Sequence, residues 1–200
     1  MSESMGSTNE SKQEEKDSKQ EDALGRSLRC TVYIGASLDG FIARKDGSID
    51  WLLQKPLPGE DYGYQQFIDT VDVLVMGRGT FDAAMGFPQW PYASKPVTVL
   101  TTRALPANLP EGVSTDAGSP EEVVARLVAK GYRHAYVDGG VTVQRFLAVG
   151  LIDQLIVTSL PVLIGEGIPL FGPLPKDVWW QHQETQTYAN GFVKSQYVKS

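Results

Sequence analysis

The chain has 200 residues, 42% of them hydrophobic, with one cysteine, two histidines and a net charge of −6. That is enough apolar material for one sizeable core and too little cysteine for a disulfide framework. No apolar run reaches the ~18 residues of a membrane span, no Lys/Arg cluster interleaved with aromatics suits a phosphodiester backbone, and the N-terminus lacks the features of a secretory signal. A soluble, cytoplasmic protein with neither a membrane nor a nucleic acid as partner is expected.

Residues 1–25 differ in composition from the rest. Seven acids against three lysines give them four of the six net negative charges, and apolar periodicity is missing, which predicts a disordered acidic tail ahead of a single domain over residues 26–200. Cys30 falls within the β-branched and aromatic run Arg29-Cys30-Thr31-Val32-Tyr33-Ile34-Gly35-Ala36, a central strand in which a buried, inert thiol is expected. His134 and His182 have no metal-ligand spacing to each other or to the cysteine, so neither a zinc site nor a serine–histidine triad is supported.

After this strand, Ser37-Leu38-Asp39-Gly40-Phe41-Ile42-Ala43 places an acid at a strand end before a long loop, either as part of a substrate pocket or as a turn former beside Gly40. Tyr64, Phe67, Ile68 and Val71 share one face of a helix over residues 60–70. The strand Asp72-Val73-Leu74-Val75-Met76 runs into Gly77-Arg78-Gly79-Thr80 and a further helical stretch from Phe81. Pro96 opens the strand Val97-Thr98-Val99-Leu100, which ends in Thr101-Thr102-Arg103. Ser119-Pro120-Glu121-Glu122 then gives a Ser cap, a first-turn proline and a glutamate three residues after the cap, predicting a helix to about Lys130 that Gly131 stops.

The run Ala135-Tyr136-Val137-Asp138 passes through Gly139-Gly140 into a helix with apolar positions at Val143, Phe146 and Leu147. A side-chain-free turn, the first free amides of a helix and the helix dipole together suit a pyrophosphate without any lysine, while a tight packed turn explains the same residues. Residues 152–160 form a longer strand, and the runs 183–188 and 192–198 flank Asn190-Gly191, a strong hairpin signal. Strand and helix in alternation, closed by an antiparallel hairpin, predict an α/β fold: a doubly wound, mostly parallel mixed sheet flanked by helices, with ligands outside the carboxyl ends of its strands. Neither a complete dinucleotide fingerprint nor a Walker loop is present.

Five motifs in order, Ser37-Leu38-Asp39-Gly40-Phe41-Ile42-Ala43, Met76-Gly77-Arg78-Gly79-Thr80, Leu100-Thr101-Thr102-Arg103, Asp138-Gly139-Gly140 and Pro161-Val162-Leu163-Ile164-Gly165, make residues 29–199 resemble the dihydrofolate reductase superfamily. The resemblance is to the branch holding the reductase domain of the riboflavin-pathway deaminase-reductases. It implies hydride transfer from NADPH to a ribosylaminopyrimidine, as in 5-amino-6-(5-phosphoribosylamino)uracil reductases, or to a related pteridine-like heterocycle.

In that family the double glycine takes the pyrophosphate, which corresponds here to Gly139, Gly140, Val141 and Thr142. The adenosine side corresponds to Gly77, Arg78, Thr80, Thr101, Thr102 and Arg103. Guanidinium and hydroxyl donors suit a 2′-phosphate and favour NADPH over NADH. Asp39 and Asp138 match the family's pocket acids and are the candidate catalytic residues, Asp138 being shorter than the usual glutamate. The resemblance breaks after the second junction, where the riboflavin enzymes carry Asp-Pro-x-Leu-Thr-x-Arg and this chain reads Asp82-Ala83-Ala84-Met85-Gly86-Phe87-Pro88-Gln89-Trp90, a poor phosphate site. The competing expectations are a dihydrofolate reductase and a non-catalytic NADPH-binding regulator, and a homodimer is one assembly open to the chain, whose oligomeric state the sequence does not fix.

Overall fold

The computed structural model describes residues 28–92 and 94–200; the expected tail lies outside them. Eight strands form one sheet in the order β5-β4-β3-β6-β1-β7-β10-β9. These are β1 (Arg29–Ser37), β3 (Val73–Gly77), β4 (Val97–Leu100), β5 (Val113–Asp116), β6 (His134–Asp138), β7 (Gln154–Leu160), β9 (Trp180–Thr187) and β10 (Val193–Lys199). The first six are mutually parallel, and β10 runs antiparallel to both of its neighbours, β7 and β9. Two short strands, β2 (Phe41–Ala43) and β8 (Ile168–Pro169), pair with each other apart from the main sheet.

The side-chain alternation of the strands separates two apolar layers. Val73, Val75, Ala135 and Val137 face one layer, with Val123 and Leu127 of α3 (Pro120–Ala129) and Val143 and Phe146 of α4 (Gly140–Ala148). Leu74, Met76 and Tyr136 face the other, with Phe67 of α1 (Tyr64–Asp69) and Phe81 of α2 (Arg78–Met85). Near-continuous apolar strands are what a parallel sheet covered on both faces requires. Cys30 is fully buried in the first layer.

Local chemistry sets the helix limits. Ser119 and Glu122 form a reciprocal capping box at α3, and Gly131, at φ +90°, ends the turn that follows it. Helix α1 starts later than the apolar spacing predicts, at Tyr64. Tyr62 and Gly63 are left-handed at φ +58° and +84°, and the Asp61 carboxylate accepts from the amides of Gly63 and Gln65, so residues 60–63 form a turn. The hairpin turn has Gly191 at φ +84°, its N–H donating to the Tyr188 carbonyl (2.9 Å).

Topology places the crevice. Strand β3 leads outward through α2 to β4, whereas β6 returns between β3 and β1 and leads through α4 to β7 on the far side. The two helices therefore cover opposite faces, and their starts meet above the adjacent carboxyl ends of β3 and β6, where such sheets bind ligands.

Candidate active site

The cavity exists because two central strands part. β1 pairs with β6 only from Arg29↔His134 to Thr31↔Tyr136, while its pairing with β7 continues to Ser37. Beyond Thr31 the Tyr33 carbonyl accepts from the Tyr136 hydroxyl (2.8 Å), a side-chain bond where the β1–β6 ladder has stopped. The gap becomes a cavity of about 260 Å3 whose walls include Tyr33, Tyr136, Asp138, Tyr92, Leu52 and Phe87. Ile42 and Ala43 of β2 and Ile168 of β8 form another wall, so the small second sheet covers one side of the site.

Asp138 ends β6 on the same face as Tyr136, as strand alternation requires. It is half-buried and lines the cavity. Its Oδ1 accepts from the Gly139 amide (2.8 Å) and its Oδ2 from the Tyr92 hydroxyl (3.3 Å). Burial raises its pKa from 3.8 to about 6, against these two hydrogen bonds, which lower it. A carboxylate near neutrality in a cavity can accept N–H bonds from a heterocycle or hold a proton for it. The surrounding hydroxyls remain protonated: burial, and then the Asp138 charge, push Tyr64 up to about 12 and Tyr92 further.

Asp39 sits elsewhere. It is exposed, it is not among the residues lining the cavity, and its carboxylate is held by the Ser37 hydroxyl (2.6 Å) and the amides of Ile164 and Gly165 (3.1 and 2.8 Å). The Ser37 hydroxyl first, then the two amides, draw its pKa below the ordinary value. The structure thus separates the two acids that the sequence reading placed in one pocket, and gives Asp39 the task of fixing the 162–165 loop against the end of β1. Glu166 is ion-paired with Lys45 and also lies outside the lining.

The expected cofactor residues gather at three neighbouring strand ends. Neither α2 nor α4 has a side-chain hydrogen bond capping its N-terminus, and both helices begin at a glycine N-cap, Gly77 and Gly139. Gly79 lines the cavity with open space where a Cβ would stand, and Val141 in the first turn of α4 is 69% exposed. Paired, uncapped helix starts beside open space fit the phosphates of a dinucleotide. Gly139, Val141, Thr142, Gly79 and Thr80 would hold them, and NADPH bound there would supply a hydride.

The double glycine also has the packing role that the sequence left open beside phosphate approach. A Cβ on Gly140 would fall 2.7 Å from Ile168 Cγ2 and 3.2 Å from Ile42 Cδ1, and one on Gly139, at φ +89°, would meet Thr80 Oγ1.

At the end of β4, expected to take the adenosine, Thr101 and Arg103 form a hydroxyl turn in which the Arg103 N–H donates to Thr101 Oγ1 (3.0 Å). The Arg78 guanidinium pairs with Asp82 (2.7 Å) and donates to the Ala104 carbonyl (2.9 Å), which ties α2 to the loop carrying Arg103. Thr102 and Arg103 are exposed, and no ion pair among the described residues engages the Arg103 guanidinium.

Sequence reasoning missed the tyrosines. Tyr33 is held by its hydroxyl, which donates to the Tyr62 carbonyl (2.7 Å), and by stacking on Phe67. The same carbonyl accepts from Lys194 Nζ (2.8 Å) and the Tyr188 hydroxyl (3.3 Å), so the hairpin braces the wall of the cavity. Strand alternation could have flagged Tyr33 and Tyr136; nothing local marked Tyr92.

Comparison with known proteins agrees with this architecture. The chain is 33% identical to the uncharacterized protein YwjB of Bacillus subtilis, over 86% of this chain and 98% of that one. A solved structure from Shewanella sp. PV-4, named for riboflavin biosynthesis, superposes with a TM-score of 0.79 at 38% identity, covering 86% of this chain and 99% of the other. The dihydrofolate reductase of Enterococcus faecalis, solved with NADP(H), shares the fold at a TM-score of 0.60 and 21% identity, over 88% and 98% of the two chains. The model of the RibD C-terminal domain matches residues 29–194, nearly all of the described chain, and the protein belongs to that family.

Proposed function

We propose that this chain is an NADPH-dependent reductase that delivers hydride to a carbon–nitrogen or carbon–oxygen double bond of an aminopyrimidine or pteridine-like heterocycle, of the kind handled in riboflavin biosynthesis. One observation carries the reading: Asp138, the ionisable group of the cavity wall with a pKa brought near neutrality, directly precedes the glycine turn that opens α4. A heterocycle held by that carboxylate lies next to the expected path of the dinucleotide.

The roles follow from placement. The α2 and α4 starts bind phosphate, and Arg103 with the Thr101 turn meets the 2′-phosphate. Ile42, Ala43 and Ile168 wall the cavity from water, and the tyrosines flank the ring. Hydride addition leaves charge on the heteroatom, and a group with a pKa of about 6 is suited to stabilise or protonate it.

The test is loss of reduced-nicotinamide absorbance when the purified chain and NADPH meet a panel of ribosylaminopyrimidines and pteridines. Turnover that depends on Asp138 supports the reading. Tight NADPH binding without turnover of any of them would make the chain a cofactor-binding protein.

A further inference from the structure

We propose that the cavity selects a flat, amino-bearing heterocycle without a phosphate ester, and that the Asp138 carboxylate together with the aromatic wall at Phe87 and Tyr92 is the selecting device. This rests on the reductase reading and narrows its substrate.

The charge of the wall is the first argument. Asp138 is acidic, and none of the described residues lining the cavity carries a cationic side chain. In the reductase reading the helix starts at Gly79 and Gly139 are taken by the cofactor's phosphates, which leaves a substrate phosphate no partner. In a partly desolvated site, a fixed carboxylate repels a phosphate and attracts N–H donors, because water no longer screens the interaction fully. Tyr92 and Gly139 each donate one hydrogen bond to this carboxylate, which leaves acceptor capacity on both oxygens for a ring N–H or amino group.

Two neighbouring cations are engaged elsewhere, and Arg103 is taken by the cofactor in the reductase reading. Arg78 is bound to Asp82 and to the Ala104 carbonyl, and Lys194, though 92% buried, donates to the Tyr62 carbonyl and lies outside the lining. The segment after α2 presents Phe87 at the rim, 39% exposed, and Tyr92 beside Asp138. Trp90 packs edge-on against both Phe81 and Tyr92 and so holds this aromatic wall to the core. The wall is therefore built for ring contact, which favours stacking and excludes a strongly hydrated anion. At about 260 Å3 the cavity is also small, just under the ~300–1,000 Å3 usual for ligand sites.

The test uses matched probes, 5-amino-6-ribosylaminouracil and its 5′-phosphate, titrated calorimetrically into the full chain saturated with NADP+, so that binding is read without turnover. The phosphate-free probe is expected to bind at least about ten-fold more tightly. Asp138→Asn should shrink that preference, and Phe87→Arg, which places a cation at the rim, should raise affinity for the phosphate ester about ten-fold. Equal affinity for the two probes, tighter binding of the phosphate ester by the unaltered chain, or binding of neither overturns the proposal. NADPH oxidation with the phosphate ester, run in parallel, then decides whether the reductase reading survives that failure.

Discussion

The side chain of Thr80, in α2, occupies the space where a Cβ on Gly139, at the start of α4, would lie. The relation is reciprocal, since a Cβ on Gly77, at the start of α2, would fall 2.9 Å from the hydroxyl of Thr142 in α4. Two helices on opposite faces of the sheet are thus locked at their first turns by two glycine–threonine contacts, which keeps their uncapped amides side by side.

That lock predicts coupled energetics. Gly77 has φ −79°, which any residue adopts, so Gly77→Ala is opposed by Thr142 rather than by backbone strain. Gly77→Ala should destabilise the chain by about 1–3 kcal/mol, the usual range for overpacking. Thr142→Ala should restore most of that loss. A double-mutant cycle from urea denaturation checks it; strictly additive effects would mean that the two helix starts do not share the contact.

Testing the proposed phosphate role of α4 needs a substitution that spares this packing, and Gly140 is unsuitable because Ile168 and Ile42 fill the space beside it. Val141 is largely exposed in the first turn. Val141→Asp places an acid where the helix dipole favours it, so thermal stability should hold or rise slightly, while a bound pyrophosphate would be repelled. NADPH affinity, read by fluorescence titration, should fall about ten-fold or more. Unchanged affinity would place the phosphates away from α4.

Arg103 and Arg78 should separate in their effects. With Arg78 committed to Asp82 and Ala104, Arg103 is the guanidinium left to meet a 2′-phosphate. A charge-assisted contact is worth roughly 1.5–3 kcal/mol. Arg103→Ala should therefore weaken NADPH about ten-fold or more and leave NADH nearly unchanged, whereas Arg78→Ala, by loosening the loop, should weaken both. Equal losses for the two cofactors in Arg103→Ala would assign it a structural role.

The junctions were legible because glycines, hydroxyls and apolar strand runs are local signals, and the capping box at Ser119 and the hairpin at Asn190-Gly191 are local for the same reason. Strand β5 was not legible, since Val113–Asp116 is an edge strand without apolar alternation, and β2 and β8 are three and two residues long and pair across more than 120 positions. The two acids show the limit most clearly. Asp39 and Asp138 both precede glycine at a strand end, and only the tertiary partners distinguish them: the 164–165 amides hold one, while the parting of β1 from β6 opens a cavity in front of the other.

The last prediction concerns pH and uses both ends of β6. Asp138 titrates at about 6 when folded against an ordinary value of 3.8, so between these values the folded chain retains a proton that the unfolded chain releases. This group's contribution to stability is therefore lost as pH rises from about 4 to about 6, and above that it is a constant cost of about 3 kcal/mol at most. His134 has the opposite slope. Buried, and then repelled by Arg29, its pKa drops from 6.5 to about 4, so the unfolded chain takes up a proton that the folded chain refuses, and stability is lost as pH falls through that window. The two effects oppose each other between about pH 4 and 6, leaving a shallow net dependence from this pair. Asp138→Asn removes one of them while keeping the shape and an acceptor for the Gly139 amide. Denaturation at pH 8 should find the variant more stable than the unaltered chain, by up to about 3 kcal/mol. On acidification it should lose that advantage and fall more steeply, because His134 is left unopposed. Its kcat/KM should drop at least about ten-fold with NADPH affinity within a few-fold. A variant no more stable at pH 8 would mean that Asp138 is not held at a cost, and the argument for its tuned acidity would fall with it.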